Sequence, residues 1–315
     1  MMSTQEWFAT ASCPGPDADL GLELVRATEA AALAAGRGAG RERSGRDRAA
    51  ATLAMHEHLR SVPVHGTVVI GEGERDDSPV LRTGDAAGAG AGPLCDLGIR
   101  VGGGDRSPAG DVPDSLVAIA VAGHGALYTP RVPSDVEMLA VGPDCADAVD
   151  ITRPVAENLR AVAAVKGVRV SDVEVAVLDR FRHRGVVDEV RDAGARVHAL
   201  QGGALAGAIA AALPECSVDV LLCTAGVAEG VMAAAALSCT GGSLQLRLRS
   251  HGAGPVLHTA DLVRGGRVLF CATGVVTSEL LDGVRYRAGR ATTRSILLCS
   301  EPDTVRMVGS EHRFA

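Results

Sequence analysis

The spacing of apolar residues predicts two helices followed by a sheet in the first half of the chain. Leu and Ala recur at helical spacing from residue 17, and a second helical pattern follows Ser44 and Asp47, which have the spacing of an amino-terminal cap. Short apolar runs then predict strands at 67–71, 95–101, 115–122, 125–129 and 136–141. Because few helical patterns separate these runs, we expect a mainly antiparallel sheet, with the Gly/Ala-rich segment 84–92 as a surface loop.

The pattern after residue 150 alternates between helices and strands. Helices are predicted at 154–166, 183–194, 204–213 and 228–238, and strands at 174–178, 195–200, 217–223, 267–272, 284–287 and 295–299. This alternation is typical of parallel strands joined by crossover helices, where ligands bind beyond the carboxyl ends of the strands. We therefore predict an α/β protein with a flexible extension (1–16), an α+β domain (17–150) and a three-layer α/β domain with a strand-rich tail (151–315).

Composition narrows the classes of ligand. The 315 residues are 47% hydrophobic but only 2% aromatic, so the core must consist largely of Ala, Val and Leu, and a ligand site has few rings for stacking. A net charge of −7 opposes binding to phosphate backbones and acidic membranes. We expect neither a nucleic-acid partner nor a membrane partner, while small anions remain possible ligands of local arginine clusters.

The cysteines and the apolar segments indicate a cytoplasmic protein. The eight cysteines form no C-x-x-C pair and no Cys/His cluster at zinc spacing, so we expect reduced, mostly buried thiols. No basic start followed by an apolar core marks a secretory signal in the first twenty residues. The most apolar stretch, 218–239, contains Asp219, Glu229 and several glycines, which favours a buried strand, turn and helix over a membrane span.

The acidic segment GEGERDDSP, residues 71–79, directly follows the first predicted strand. It places four carboxylates, Glu72, Glu74, Asp76 and Asp77, within six residues. Clustered carboxylates repel one another, so such a segment is either a solvated turn or a site for a divalent cation such as Mg²⁺ or Mn²⁺. These residues alone leave both interpretations open.

The glycine run VGGGDR, residues 101–106, is a second candidate. Its glycines, Gly102, Gly103 and Gly104, can turn backbone N–H groups towards one anion, although a mobile turn explains the same run. Asp105, beside them, is a candidate general base or metal ligand. Cys223, at the end of a predicted strand, is a candidate nucleophile, with an inert buried thiol as the alternative.

Three ordered segments, 66–81, 218–231 and 267–298, resemble class II fructose-1,6-bisphosphatases of the GlpX type. The resemblance extends over nearly the whole chain from about Leu20. It implies the layered αβαβα fold of the lithium-sensitive, metal-dependent sugar-phosphatase superfamily, and a homodimer or homotetramer. It also implies a mechanism in which carboxylates place divalent cations and a threonine orients the nucleophile.

The metal positions implied by the resemblance are only partly retained. Glu72 and Glu229 match two metal ligands of the family, whereas Arg48 and Arg100 stand where the family has aspartates. A guanidinium offers no lone pair, and it repels a divalent cation about 4 Å away by roughly 8 kcal/mol at an effective dielectric of 20. We therefore expect no metal cofactor, and a pairing of Glu72 with Arg100 or Arg48 instead.

Two further substitutions bear on the same metal site. Gly103 replaces a second acid, and Asp105 replaces the threonine. Whether Asp105, or Asp47 one residue out of register beside Arg48, restores a metal site remains open.

The substrate positions differ as well. The phosphate-binding turn of the family appears as Arg180-Phe181-Arg182-His183, which keeps its positive charge, with a surface position as the alternative for His183. The turn that grips the sugar hydroxyls has become Gly202-Gly203-Ala204, and Asp135 replaces a tyrosine near the phosphate. Fructose 1,6-bisphosphate is therefore a poor candidate ligand.

These observations leave three hypotheses. The first is a protein that binds a small phosphorylated or carboxylated metabolite and has lost metal-dependent hydrolysis, in a binding, regulatory or repurposed metal-free role. Its candidate anion contacts are Arg100, Gly102, Gly103, Gly104, Arg180, Arg182 and His183, and its candidate catalytic residues are Glu72 and Asp105. The second is an active phosphatase with another substrate that recruits Mg²⁺ or Mn²⁺ through Glu72, Asp96, Asp105 and Glu229. The third is a structural partner of an intact paralogue.

Overall fold

The computed structural model describes residues 16–37, 45–72, 80–102, 115–130, 135–200, 202–248 and 254–314. The helices within these ranges are α1 (Gly21–Gly36), α2 (Gly45–Leu59), α3 (Val155–Lys166), α4 (Arg184–Asp192), α5 (Ala204–Ala212), α6 (Val227–Ser238) and α7 (Thr259–Leu262). The strands are β1 (His65–Ile70), β2 (Ala86–Ala87), β3 (Leu94–Val101), β4 (Leu116–Gly123), β5 (Asp135–Val141), β6 (Glu174–Leu178), β7 (Arg196–Leu200), β8 (Val220–Gly226), β9 (Ser243–Leu248), β10 (Val256–His258), β11 (Leu269–Gly274), β12 (Arg285–Arg287), β13 (Arg290–Ser300) and β14 (Asp303–Arg313).

The strands form two mixed sheets. The first has the order β12-β13-β11-β4-β3-β1-β2, with β14 paired to β13, and the second has the order β10-β9-β5-β8-β6-β7. In the first sheet β1 and β3 are parallel, and in the second β6 is parallel to both β7 and β8. The other pairs of named strands are antiparallel.

Helices and sheets stack in five layers. One apolar cluster joins α1 and α2 to the first sheet, a second surrounds α5 and α6 between the two sheets, and a third joins α3 and α4 to the outer face of the second sheet. Strand β4 is buried on both faces, with Val117 and Ile119 towards α1 and α2 and with Ala118 and Ala120 towards the central helices. The expected α/β class and αβαβα layering are confirmed.

The central layer is built from small residues. Helices α5 and α6 are rich in alanine, and the side chains of α5 are buried all around the helix. The first sheet and α6 are in close contact, because a Cβ atom added at Gly98 of β3 would lie 2.5 Å from Sδ of Met232 in α6. The alanine-rich composition therefore lets both sheets pack closely on the same pair of helices.

Several sequence expectations for the elements need correction. The strand expected at 125–129 is a turn with one bridge, Leu127 to Val263, because Gly125 has a positive φ of 78° and the carboxylate of Asp96 binds the Leu127 N–H group. The loop expected at 84–92 contains β2. The second sheet is mixed and not parallel throughout, since the antiparallel strands β5, β9 and β10 join it.

Sheet membership crosses the predicted division at residue 150. Strand β5, before that position, lies in the second sheet, whereas β11 to β14 return to the first sheet. The division into domains stays a prediction, and residues 1–15 of the expected extension lie outside the described residues. Across the described ranges, no helix has the length and apolar character needed to span a membrane.

Candidate functional site

The candidate site, termed the cleft, is the edge of the fold where α5 and α6 begin and where β1, β3, β6, β7 and β8 end. The two sheets are connected here through Ser115, which precedes β4. Both its N–H and its Oγ donate to the carbonyl of Gly202 after β7, at 3.1 and 2.8 Å. Its own carbonyl accepts the Val275 N–H group at 2.7 Å. The strand ends of both sheets therefore meet at one edge, where α/β sheets usually bind ligands.

Glu72 lies two residues beyond β1 and is half-buried. Its Oε1 atom accepts a hydrogen bond of 2.7 Å from the backbone N–H of Val101, at the end of β3. The ion pair expected with Arg48 or Arg100 is not among the contacts of the described residues, although both arginines have other interactions. A backbone amide therefore holds this carboxylate at the mouth of the cleft.

The turn Arg180-Phe181-Arg182-His183 follows β6. Arg182 donates from Nη2 to the Thr224 carbonyl at 3.3 Å, and its Nη1 lies 3.8 Å from Oδ2 of Asp135. The side chains of Arg182 and Asp135 remain 40% and 61% exposed to solvent. The turn is thus anchored to β8 while the Arg182 guanidinium still faces water.

His183 is buried, so the alternative of a surface position is wrong. Its Nε2 atom accepts the Thr224 N–H group at 2.8 Å, which requires a neutral ring with the proton on Nδ1. Because Nε2 accepts this hydrogen bond, it cannot donate one to an anion. His183 positions the turn against β8 in this structure.

Glu229 connects the beginnings of the two central helices. It lies in the first turn of α6, and its Oε1 accepts the Leu205 N–H group in the first turn of α5 at 3.2 Å. A carboxylate is favoured there because both helix dipoles present their positive ends. Glu229 therefore holds the first turns of α5 and α6 together at the candidate site.

Cys223 is not an activated nucleophile. Burial strongly raises the pKa of its thiol, Glu229 raises it further, and the opposing effects of Arg180 and Arg182 are smaller. The thiol therefore stays protonated at neutral pH. Cys223 lies in the middle of β8, next to Thr224, whose carbonyl accepts a hydrogen bond from Arg182.

The turn after β7 no longer has room for an acid. A Cβ atom on Gly202 would lie 2.5 Å from Cβ of Ser278 and 2.9 Å from Oε2 of Glu279, and Gly203 has a positive φ of 89°. Glu279 has a side chain that is 6% exposed and lies 3.8 Å from His198. Sequence reasoning missed Glu279, because only the packing of its loop brings it to this turn.

Some of the remaining candidate site residues lie outside the ranges that the structure describes. Gly103, Gly104 and Asp105 lie outside the described residues. The N–H group of Gly102 donates to the Leu116 carbonyl at 3.0 Å, so it extends the sheet and is not turned towards an anion. Arg100 is half-buried near the end of β3, and Asp47 and Arg48 are half-buried in α2.

The described residues do not by themselves fit a divalent cation. Within their ranges, no three His, Cys, Asp or Glu side chains are grouped to hold a metal ion. Asp96 is bound instead to the Leu127 N–H group at 3.1 Å and lies 3.3 Å from His124. Glu72 and Glu229 each accept a backbone hydrogen bond, as described above.

The five layers and the strand ends gathered at one edge define a layered α/β protein of the sugar-phosphatase type. The chain belongs to the family of bacterial fructose-1,6-bisphosphatases encoded by glpX, whose sequence profile matches residues 18–312. It is 33% identical over 321 residues to fructose-1,6-bisphosphatase 1 class 2 of Escherichia coli strain K12, covering 93% of this chain and 95% of that protein. The class 2 fructose-1,6-bisphosphatase of Shigella flexneri matches to the same extent. The resemblance seen in the sequence is confirmed.

Proposed function

We propose that this protein binds a small phosphorylated or carboxylated metabolite in the cleft, in the cytoplasm, and has lost metal-dependent hydrolysis of fructose 1,6-bisphosphate. The observation that carries the proposal is the position of the 180–183 turn. It follows β6, which lies between β8 and β7, and α6 and α5 begin directly after those two strands. Guanidinium groups bind phosphate and carboxylate through paired donors, and helix beginnings favour negative charge.

The anchoring of Arg182 supports this proposal. Its contacts with the Thr224 carbonyl and with Asp135 orient the guanidinium but leave it 40% exposed. An oriented, solvent-exposed guanidinium loses less conformational entropy when it binds an anion than a free side chain does. The charge that the resemblance assigns to phosphate binding is therefore preorganised.

The loss of hydrolysis is supported by substitutions and contacts. Arg48 and Arg100 stand where the resemblance places metal-binding aspartates, and Glu72 and Glu229 accept backbone hydrogen bonds. A divalent cation would compete with these hydrogen bonds and would be repelled by a guanidinium at short range. Anion binding is retained under this proposal because it needs no cation.

The test of anion binding is thermal unfolding with inorganic phosphate, sulfate and a series of sugar phosphates. A ligand at about 100 times its Kd should raise the Tm by on the order of 5 °C. The variant Arg180→Ala/Arg182→Ala should lose this shift. The control Arg169→Ala/Arg196→Ala removes two arginines that pair with Asp172 away from the cleft, and it should keep the shift. Identical melting of all three proteins with every anion would favour the structural-partner hypothesis.

An active phosphatase with another substrate is the second candidate. It is favoured by family membership and by the retention of Glu72 and Glu229 at the cleft. Calorimetry with Mn²⁺ distinguishes this function from metal-free anion binding. A protein that has lost metal-dependent hydrolysis should not bind Mn²⁺ with micromolar affinity at neutral pH. Micromolar binding that Glu72→Gln abolishes, together with phosphate release that EDTA stops, would overturn the loss of hydrolysis and leave anion binding intact.

A further inference from the structure

Strands β12, β13 and β14 form a three-stranded end of the first sheet. At residues 290–292, before it pairs with β11, strand β13 lies between β12 and β14. Side chains alternate along a strand, so one face of this end continues the face on which Ile296 packs against the central helices. On that face, the side chains of β13 that precede Ile296 are exposed, and they are Arg290, Thr292 and Arg294.

Arginines stand opposite one another in register on this face. Arg290 of β13 is paired on one side with Arg287 of β12 and on the other side with Arg313 of β14. Directly opposite residues share a face and lie about 5 Å apart between their Cα atoms, so the three guanidinium groups belong to one row across the sheet. Like charges in this arrangement destabilise a sheet. Because all three arginines are exposed, burial does not offset their repulsion.

Two further arginines extend this row into a patch. Arg285 of β12 is opposite Thr292, and Arg294 of β13 is opposite Gly309 of β14. The guanidinium of Arg294 lies over Gly309, because a Cβ atom added to this glycine would be 3.1 Å from Cζ of Arg294. The patch, termed the basic face, consists of Arg285, Arg287, Arg290, Arg294 and Arg313.

Few carboxylates balance the basic face. Glu311 is the acidic side chain among these arginines, and its Oε1 atom alone lies 3.1 Å from Arg290 and 3.2 Å from Arg313. Asp282, before β12, pairs with Arg285 at 2.9 Å. The other two arginines of the basic face have no ion pair among the described residues. The face therefore keeps a positive charge, although the whole chain has a net charge of −7.

We propose that the basic face binds an extended segment of a partner protein that is rich in Asp and Glu. The face is an exposed strand surface and not the concave pocket in which small metabolites bind. Guanidinium groups pair with carboxylates through two parallel hydrogen bonds. Such pairs would replace the repulsion within the arginine row, which explains an arrangement that the sheet alone disfavours.

An acidic protein segment fits the basic face better than a nucleic acid does. Outside this face the chain is more acidic than its net charge of −7, so a long phosphate backbone that extended beyond the face would be repelled. Tyr286 and Phe314, the aromatic residues beside these strands, lie on the opposite face, where Tyr286 donates to the Leu33 carbonyl of α1. They therefore cannot stack with bases on the basic face.

The test is fluorescence anisotropy with a labelled oligoglutamate peptide, with an oligoglutamine peptide as the neutral control. The native chain should bind the oligoglutamate peptide at low salt and release it at high salt, because the contacts are exposed ion pairs. Arg287→Gln/Arg294→Gln should weaken binding at least tenfold. The control Arg169→Gln/Arg196→Gln removes two exposed arginines elsewhere and should bind as the native chain does.

Two further variants separate binding from folding. Gly309→Ala keeps every charge but displaces the guanidinium of Arg294, so it should weaken binding by less than the double variant does. Arg287→Gln relieves repulsion within the row, so at low salt its Tm should equal or exceed that of the native chain. A lower Tm of Arg287→Gln would show that this arginine serves the sheet itself and would overturn the proposal.

Other results would also overturn the proposal. A native chain that does not bind the peptide at low salt would do so, as would single-stranded DNA or tripolyphosphate that binds the basic face more tightly than the peptide. Peptide binding that Arg180→Ala/Arg182→Ala abolishes would assign the peptide to the cleft, and would leave the proposed anion site intact. An oligomer that Arg287→Gln/Arg294→Gln dissociates would assign the basic face to contacts between copies of the chain.

Discussion

Three polar side chains of the cleft accept hydrogen bonds from backbone N–H groups at the ends of neighbouring elements. Glu72 binds Val101, His183 binds Thr224, and Glu229 binds Leu205. A backbone donor that loses such a partner while buried costs about 1–3 kcal/mol. These residues therefore hold strand and helix ends in place, whatever ligand the cleft takes.

Gly71, directly before Glu72, has no room for a side chain. A Cβ atom on Gly71 would lie far inside van der Waals contact with the Leu81 carbonyl and 2.9 Å from the Thr83 nitrogen. Backbone atoms cannot move aside as side chains do, so Gly71→Ala should shift the segment that carries Glu72. We expect a loss of about 1–3 kcal/mol in the free energy of unfolding, measured by urea denaturation.

Gly185 provides the matched control for this prediction. It lies in α4, a Cβ atom there meets nothing within 4 Å, and its φ is not positive. Gly185→Ala should be neutral or stabilise by up to about 1 kcal/mol, because alanine favours the helix. Equal stability of the two variants would contradict the argument from close backbone contact.

At the scale of elements, Lys166 joins the end of α3 to the second sheet. This lysine is the only one in the chain, and its Nζ lies 2.9 Å from Asp219, before β8, and 3.5 Å from Asp144. Burial disfavours the charged amine, but the hydrogen bond to Asp219 and the attraction of both aspartates outweigh burial and raise the pKa of Lys166. The charged amine therefore stabilises the folded state.

Replacement of Lys166 should reveal how much its charged amine contributes to the free energy of unfolding and how that contribution depends on pH. Lys166→Met should lower the free energy of unfolding by about 1 kcal/mol at neutral pH. Because the pKa is raised on folding, the contribution is complete below the ordinary value of 10.5 and disappears as the pH rises through the folded-state pKa.

Urea denaturation from pH 7 to pH 11 measures this effect. Lys166→Arg keeps the charge and should not lose stability at the alkaline end. Arg169→Met, which breaks an exposed pair with Asp172, is the control and should change nothing measurable. A deficit of Lys166→Met that persists unchanged above the folded-state pKa would contradict the ion-pair explanation.

Periodicity predicted the elements that have one clear buried face or a buried interior. Helices α3 to α6 and strands β3, β4, β6 and β7 lie close to their predicted ranges. Strand β8 begins and ends three residues later than predicted, so Cys223 lies inside the strand and not at its end. Strand β14 was not predicted, because an edge strand carries Arg306, Glu311 and Arg313 among its apolar residues and shows no continuous buried pattern. Strand β9 does show alternation, at Leu244, Leu246 and Leu248, and that signal was overlooked.

The site was predictable where a motif adjoins an element end, and not where tertiary packing creates it. Glu72, Glu229 and the turn that begins at Arg180 lie at the cleft, as the strand-end rule requires. The proximity of Glu279 to Gly202 depends on how residues 275–283 pack, and no local pattern records that. The hydrogen-bond partner of His183 likewise became visible only in three dimensions.

At the scale of the whole molecule, the first sheet depends on strands far apart in the sequence. Strand β11 pairs with β4 along its entire length, and β13 pairs with β11 in turn. All eight residues of β4 are buried. Without β11, one edge of this apolar strand would be open to solvent or to other chains.

Truncation after residue 266 should therefore abolish folding of more than the missing strands. We expect a chain that lacks β11 to β14 to show no cooperative unfolding transition and to aggregate, because an edge of β4 is left open. Thermal unfolding and light scattering measure both effects. A chain ending at Arg313 is the control and should unfold like the full chain. A truncated chain that stays soluble and unfolds in a cooperative transition of the full chain's size would contradict this expectation.

The return of β11 to β14 to the first sheet also sets an order of events during synthesis. A ribosome releases β1 to β4 well before β11, because the second sheet and the central helices lie between them in the chain. Throughout that interval, an edge of β4 has no neighbour, which is the condition under which nascent chains associate with one another or with chaperones. The protein is therefore expected to reach its folded state only after translation passes β13, and its yield in cells should depend on the pace of translation across residues 124–268.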